Sequence, residues 1–237
     1  MENRTVASDD TLRRSNRVML CGTVVGLPQK SHEVFGEGFY ELTLSVNRLS
    51  NMQDLIPITI SERLLKDENL TEGSQITVKG QFRSYNKLID GRSKLMLTVF
   101  VREVLHEVNS DNPNIIELTG YVCKAPIYRT TPFNREIADL LTAVNRSHSK
   151  SDYIPAIAWG RNARFCQGMQ VGEKIFISGR IQSREYQKRL DDGTAETRTA
   201  YEVSINRLSQ EPLESAFEEH DTAFIISDAE LMEEIGG

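Results

Sequence analysis

The sequence predicts an all-β protein built as two tandem copies of one small barrel, each copy with a single short helix. The chain aligns with itself at a shift of 98 residues. Within each copy the apolar residues alternate with period two, the signature of a half-buried strand. A short helical stretch falls after the third predicted strand in both copies.

The repeat sets the organisation, because self-similarity at a fixed period defines the structural unit before any local reading does. Asn16, Leu20, Gly22, Val24 and Pro28 recur as Asn114, Leu118, Gly120, Val122 and Pro126. Val46-Asn47-Arg48 recurs as Val144-Asn145-Arg146, and Asp54, Ile56, Pro57 and Arg63 recur as Asp152, Ile154, Pro155 and Arg161. Gly73, Ile76, Gly80 and Ser84 return one residue later, as Gly172, Ile175, Gly179 and Ser183.

The alternation predicts strands over Arg17–Val25, Tyr40–Asn47, Leu55–Ile60, Gln75–Tyr85 and Lys94–Val104, with equivalents in the second copy. Helical stretches are expected over Ser61–Lys66 and Arg161–Gln167. Five short strands with a helix after the third is the order of the OB-fold, a partly open barrel that commonly binds oligonucleotides. The polar run 109–113 reads as a linker. The expected organisation is therefore a flexible arm over 1–15, a first, diverged barrel over 16–108, the linker, a second barrel over 114–210 and an acidic tail over 211–237. Gly22, Gly80, Gly120 and Gly179 are expected to serve barrel curvature, and Asp191-Asp192-Gly193 to make a hairpin turn.

A net charge of −6 argues at first against a polyanionic partner. Nine carboxylates and no Lys or Arg stand between Glu211 and Gly237, however, and the rest of the chain carries 28 basic against 25 acidic side chains. From Asn114 to Gln210 the balance is 14 basic to 10 acidic, so the second copy is the basic one. Cys21, Cys123 and Cys166 are far apart and never in a C-x-x-C pair, which suggests neither disulfides nor a zinc site. No stretch approaches the roughly 20 apolar residues of a membrane span, so a cytoplasmic protein is expected. Nothing matches a nucleophile elbow, a phosphate-binding loop or a metal cluster, so neither enzymatic activity nor a cofactor is expected.

The second copy resembles the OB domain of the bacterial single-stranded-DNA-binding protein family from Asn114 to Leu208. The resemblance rests on Leu118-Thr-Gly120, Pro126 with Arg129-Thr-Thr-Pro132, Ala143-Val-Asn-Arg146, Ser151-Asp-Tyr-Ile-Pro155, Ala158-Trp-Gly160, Gly179-Arg-Ile-Gln-Ser-Arg-Glu-Tyr186 and Tyr201-Glu-Val203. It implies that Tyr153, Trp159 and Tyr186 stack on bases, that His148 falls where another aromatic often sits, and that Arg129, Arg146, Arg161 and Arg184 meet phosphates or base planes. Stacking suits sequence-tolerant binding, since every base offers a π-face. The residues of one strand agree independently: Tyr153, Pro155, Ile157 and Trp159 alternate with Ile154, Ala156 and Ala158, an aromatic outer face against a small aliphatic inner one. In the first copy the outer face reads Leu55, Pro57, Thr59 and Ser61, without that platform, although Tyr85 matches Tyr186.

The resemblance further implies a bacterial or phage protein that holds single strands in replication, recombination or repair, and a homodimer presenting four barrels. Family members commonly end in an acidic tail with a terminal Pro-Phe that docks onto replication and repair proteins. This chain departs from that, ending Glu233-Glu-Ile-Gly-Gly237, with Ser227 and Glu230 placed as a capping box for a short amphipathic helix over 228–235. Two other readings stand beside the first: a protein-interaction module of a primosome or replication-restart assembly, and an RNA- or saccharide-binding OB protein. Stacking alone does not separate DNA from RNA.

Overall fold

The fold follows from strand pairing in two closed rings that share one edge. The computed structural model describes residues 14–48, 50, 52–89, 91–105, 113–147, 150–189 and 193–217. The first ring contains β1 (Asn16–Val34), β2 (Glu37–Asn47), β3 (Gln53–Ser61), β4 (Gln75–Ile89) and β5 (Arg92–Leu105), with helix α1 (Glu62–Asp67) after β3. It closes through a parallel pairing of β3 with β5 and an antiparallel pairing of β1 with β4. The second contains β6 (Asn114–Val122), β7 (Ile127–Thr130), β8 (Glu136–Asn145), β9 (Ser151–Trp159), β10 (Lys174–Arg189) and β11 (Ala195–Ser209), with α2 (Arg161–Cys166) after β9. There β9 pairs parallel with β11, and β6 closes the ring against β8 and β10.

Alternation explains the interiors. Leu44, Val46, Ile56, Ile58 and Ile60 are fully buried in the first barrel, and Val144, Ile154, Ala158, Ile175 and Ile181 in the second. Ser61 begins α1 by accepting the Leu64 amide at 3.3 Å, satisfying one of the free N–H groups of a helix start. The hairpin arms β4–β5 and β10–β11 run past the barrels, to Ile89 and Arg189, beyond the strand ends expected from the sequence. Along β4 and β10 the outer residues 85–88 and 184–189 are exposed on both sides, so no alternation marks them. Antiparallel pairing of Arg189 with Ala195 makes a hairpin around Gly193; Asp191 and Asp192 lie outside the described residues. Gly80 and Gly179 sit at bulges in their hairpins, where an added Cβ would overlap the carbonyl oxygen of Phe100 or Ser204. Close backbone approach, rather than curvature alone, requires glycine there.

The barrels are joined by two features that the repeat alone does not reveal. First, β1 pairs antiparallel with β6, with Val18 opposite Ile116, so the eleven strands among the described residues form one sheet. Val18 and Ile116 are equivalent residues of the two copies, so a pseudo-two-fold axis passes between them.

Second, each barrel inserts a fully buried aspartate into the other. Asp54 accepts the Ser183 amide at 2.7 Å, Arg180 Nη1 at 3.1 Å and its own barrel's Arg48 Nε at 2.7 Å. Asp152 accepts the Ser84 amide at 2.7 Å, Arg83 Nη1 at 3.3 Å and its own barrel's Arg146 Nη1 at 3.4 Å. The cross-barrel arginines occupy non-equivalent positions, since Gln81-Phe-Arg83 in one copy faces Arg180-Ile-Gln182 in the other. In each copy the glutamine braces its arginine. Asn16 and Asn114 each exchange two hydrogen bonds with the backbone of their own barrel, at Phe82 and Ile181.

Beyond β11 the chain returns to this joint. Phe217 is buried against Met19 and Ile115, with the Arg17 guanidinium 4.3 Å from its ring centre. Glu117 accepts the Ala216 amide and the Ser215 hydroxyl, both at 2.7 Å. The segment expected to begin a free tail at Glu211 is therefore attached as far as Phe217, while 218–237, including the expected capping box, lies outside the described residues. Among the described residues no helix is long and apolar enough to cross a membrane.

Burial pushes the Asp54 carboxyl up, but the hydrogen bonds from Arg48 and the Ser183 amide, with the charges of Arg48 and Arg180, outweigh it and hold the pKa below the ordinary 3.8. A lowered carboxylate pKa contributes stability that is present above the unfolded-state value and lost as pH falls through the folded-state value. Replacing Asp54 by Ala is expected to cost about 3–5 kcal/mol, because it strands buried arginine charge. Urea unfolding at neutral pH should show that loss, and at a pH well below the ordinary carboxylate value the gap between variant and parent should close.

Candidate nucleic-acid interface

The outer face of β9 is where side chains escape the packing rules that govern the rest of the strand. Ile154, Ala156 and Ala158 are buried inside the barrel, whereas Tyr153 is 44% and Trp159 39% exposed. The two rings are six residues apart on one side of the strand, about 20 Å at the usual rise. Ile157 shares that side yet is buried, so the aromatic face is interrupted rather than continuous. Trp159 lies across from Ile137 on β8 and is followed by Gly160, whose φ of 51° turns the chain sharply into α2. At the other end, the Tyr153 amide donates to Ser84 Oγ of the first barrel at 2.7 Å, which places Tyr153 at the junction.

Tyr186 stands on the exposed arm of β10, with Arg184 Cζ 5.9 Å from its ring centre. Arg184 Nε lies 3.5 Å from Glu202 Oε1 and is half-exposed. Arg129 is held by Asp139 at 2.8 Å, an exposed pair whose hydrogen bond raises the arginine's pKa. Arg161 is the exposed first residue of α2. Arg146 differs from the other three arginines, for its guanidinium is part of the buried Asp152 network. Tyr85 is partly exposed on β4 and donates to Glu41 at 3.4 Å; its partial burial and that carboxylate raise its pKa. His148 lies outside the described residues.

The structure thus brings Tyr153 and Trp159 onto one strand, puts Tyr186 and Arg184 together on an arm, and leaves Arg129 and Arg161 on separate elements. The sequence reading missed a second set of rings on the first barrel. His32 stacks on Phe39 with centroids 5.0 Å apart, and Phe39 meets Phe100 at 5.6 Å. These residues lie on β1, β2 and β5, not on β3 where an equivalent of Trp159 was sought. Among the described residues, no group of three or more His, Cys, Asp or Glu side chains could hold a metal.

Two closed OB-type barrels joined in tandem, one with an exposed aromatic face, define an oligonucleotide-binding class of fold. The model of the single-strand binding protein family matches residues 113–210. Single-stranded DNA-binding protein B of Bacillus subtilis is 32% identical over 84 residues, covering 31% of this chain and 72% of that protein. The chain belongs to the single-strand binding protein family. The single-stranded DNA-binding protein of Clostridium tetani is 36% identical over 88 residues, 34% of this chain and 59% of that protein, so the chain spans less than two thirds of that relative. The wild-type single-stranded DNA binding protein of Thermus aquaticus superposes with a TM-score of 0.64 at 20% identity, covering 85% of this chain and 95% of that one; the likeness is of fold.

Because Tyr153 and Trp159 project outward, truncating either to Ala is expected to cost no more than about 1 kcal/mol of stability. Thermal or urea unfolding checks this, and a loss of several kcal/mol would place the rings in the core instead.

Proposed function

We propose that the chain binds single-stranded DNA without catalysis and without strong sequence preference, holding the strand across the second barrel. The observation that carries this is the half-exposed Tyr153–Trp159 face on a strand whose alternate residues are packed inside. Large aromatics exposed on a folded surface need a partner that covers them, and bases do so at about 1–3 kcal/mol per stacked ring. Tyr186 and Arg184 extend the surface along the β10 arm, and Arg161 supplies positive charge to one flank; Arg129 meets a phosphate only by leaving its exposed pair with Asp139. The names of the relatives, all single-stranded DNA-binding proteins, point the same way. A role in replication, recombination or repair follows from that binding. Assembly as a homodimer presenting four barrels, and recruitment of replication or repair proteins by the acidic segment after Glu211, complete the reading; their support is the family resemblance and the segment's charge.

Arg146 enters this reading only in part. Its charge is shared with Asp152, so its first duty is to the barrel junction and any phosphate it meets lies at that junction.

Trp159 is the only tryptophan and reports binding directly. Titration with oligo-dT is expected to quench its fluorescence, with log K falling linearly against log salt at a slope of about −0.7 per phosphate contacted. Unchanged fluorescence and mobility with oligo-dT at low salt would overturn the reading. Trp159→Ala and Tyr186→Ala are each expected to weaken binding by roughly 5–150-fold, the equivalent of one stacked base, with circular dichroism unchanged.

A further inference from the structure

Trp159 stands where the first copy has Ser61, and the exchange removes a helix cap. In the first barrel Ser61 Oγ accepts the Leu64 amide, and Glu37 of β2 accepts the Arg63 amide at 3.1 Å. Both groups satisfy free N–H groups at the start of α1. The equivalent positions of the second copy are Trp159 and Arg135, whose side chains only donate. Gly160 accordingly begins α2 without a side-chain cap.

Glu136, the first residue of β8, holds that end instead. Its carbonyl oxygen accepts the Gly160 amide at 2.9 Å. Its carboxylate accepts Tyr128 Oη of β7 at 2.6 Å and Arg164 Nε of α2 at 2.7 Å. One residue thus ties together the β7–β8 hairpin, the end of β9 that carries Trp159, and the helix that follows. The hydrogen bonds from Tyr128 and then Arg164 hold its pKa below the ordinary 4.5.

The first copy keeps such a carboxylate although it comes from another residue. The equivalents of Glu136 and Gly160 are Gly38 and Glu62, so the acid and the glycine have changed places. Glu62 Oε2 occupies the space over Gly38, 2.7 Å from where an added Cβ would stand. There the acid pairs with Lys66, the equivalent of Arg164, and feels the charge of Lys30, the equivalent of Tyr128. The first copy's ion pair stays within one helix, whereas the second copy's crosses from strand to helix. Only the second arrangement puts glycine at 160, where φ is 51° and the chain turns directly after Trp159.

We infer that Glu136 is a positioning residue for Trp159, fixing the hairpin and the helix start on either side of the ring so that its outer face stays presented to a base. This rests on the function proposed above. An isolated exposed ion pair contributes little to stability. The value of this one lies in geometry, since a ring already in place loses less freedom when a base stacks on it.

Oligo-dT titration of the full chain with Glu136→Gln or Tyr128→Phe tests the role, because charge and positioning predict opposite signs for the first variant. A carboxylate near a polyanion repels it, so neutralising a bystander would tighten binding. Positioning predicts that both variants weaken binding by about three- to tenfold, a part of the worth of one stacked base, with circular dichroism unchanged. The fluorescence anisotropy of Trp159, the only tryptophan, should also fall in both free variants as the ring gains motion. Tyr128→Phe changes no charge and keeps its ring, so it decides the matter if Glu136→Gln melts early. Affinity at or above the parent's in both variants, with anisotropy unchanged and Trp159→Ala still weakening binding, overturns the inference and leaves the proposed function standing. Failure of the unaltered chain to bind oligo-dT overturns both.

Discussion

Two buried aspartates hold the molecule together, and what the rest of the structure can do depends on them. A carboxylate removed from water is costly unless its oxygens are fully hydrogen-bonded and its charge is met. Asp54 and Asp152 satisfy that condition only by reaching across the joint, each to a backbone amide and an arginine of the other barrel. Neither barrel alone supplies the full set of partners. The joint is therefore selected by geometry and not only by apolar burial, and with β1 pairing β6 the two barrels form a single body.

That single body positions the candidate binding surface. Tyr153 is attached to the junction by its own amide, and Arg146 by its bond to Asp152. Charge follows the same division. The acidic excess is concentrated after Glu211, and the chain there starts from the joint itself, where Phe217 is seated between Met19 and Ile115.

The repeat, the five-strand order and the inner and outer faces of β9 were legible because each rests on a local period: 98 residues for the copies and two for the strands. Ile154, Ala156 and Ala158 went inside as their size and alternation require, and Tyr153 and Trp159 stayed out. The β1–β6 pairing was not legible, since an edge strand carries no mark of which edge it will meet. Nor were the rings of the first barrel, because Phe39 and Phe100 adjoin Ser61 and Thr59 only through pairings between distant strands. Arg146 was legible as a cation but not as a partner of Asp152. A signal for that exists: Arg and Asp stand six residues apart in both copies, Arg48 with Asp54 and Arg146 with Asp152, although the surrounding surface has diverged. A pair kept where neighbouring surface residues change points to a structural ion pair.

A single strand held on the outer face of β9 would cover Tyr153 and Trp159. Hydroxyl-radical labelling of the full chain, with and without oligo-dT at low salt, tests this most directly. Oligo-dT is predicted to protect both rings, as stacking requires. Unchanged labelling of both with the oligonucleotide bound would contradict it.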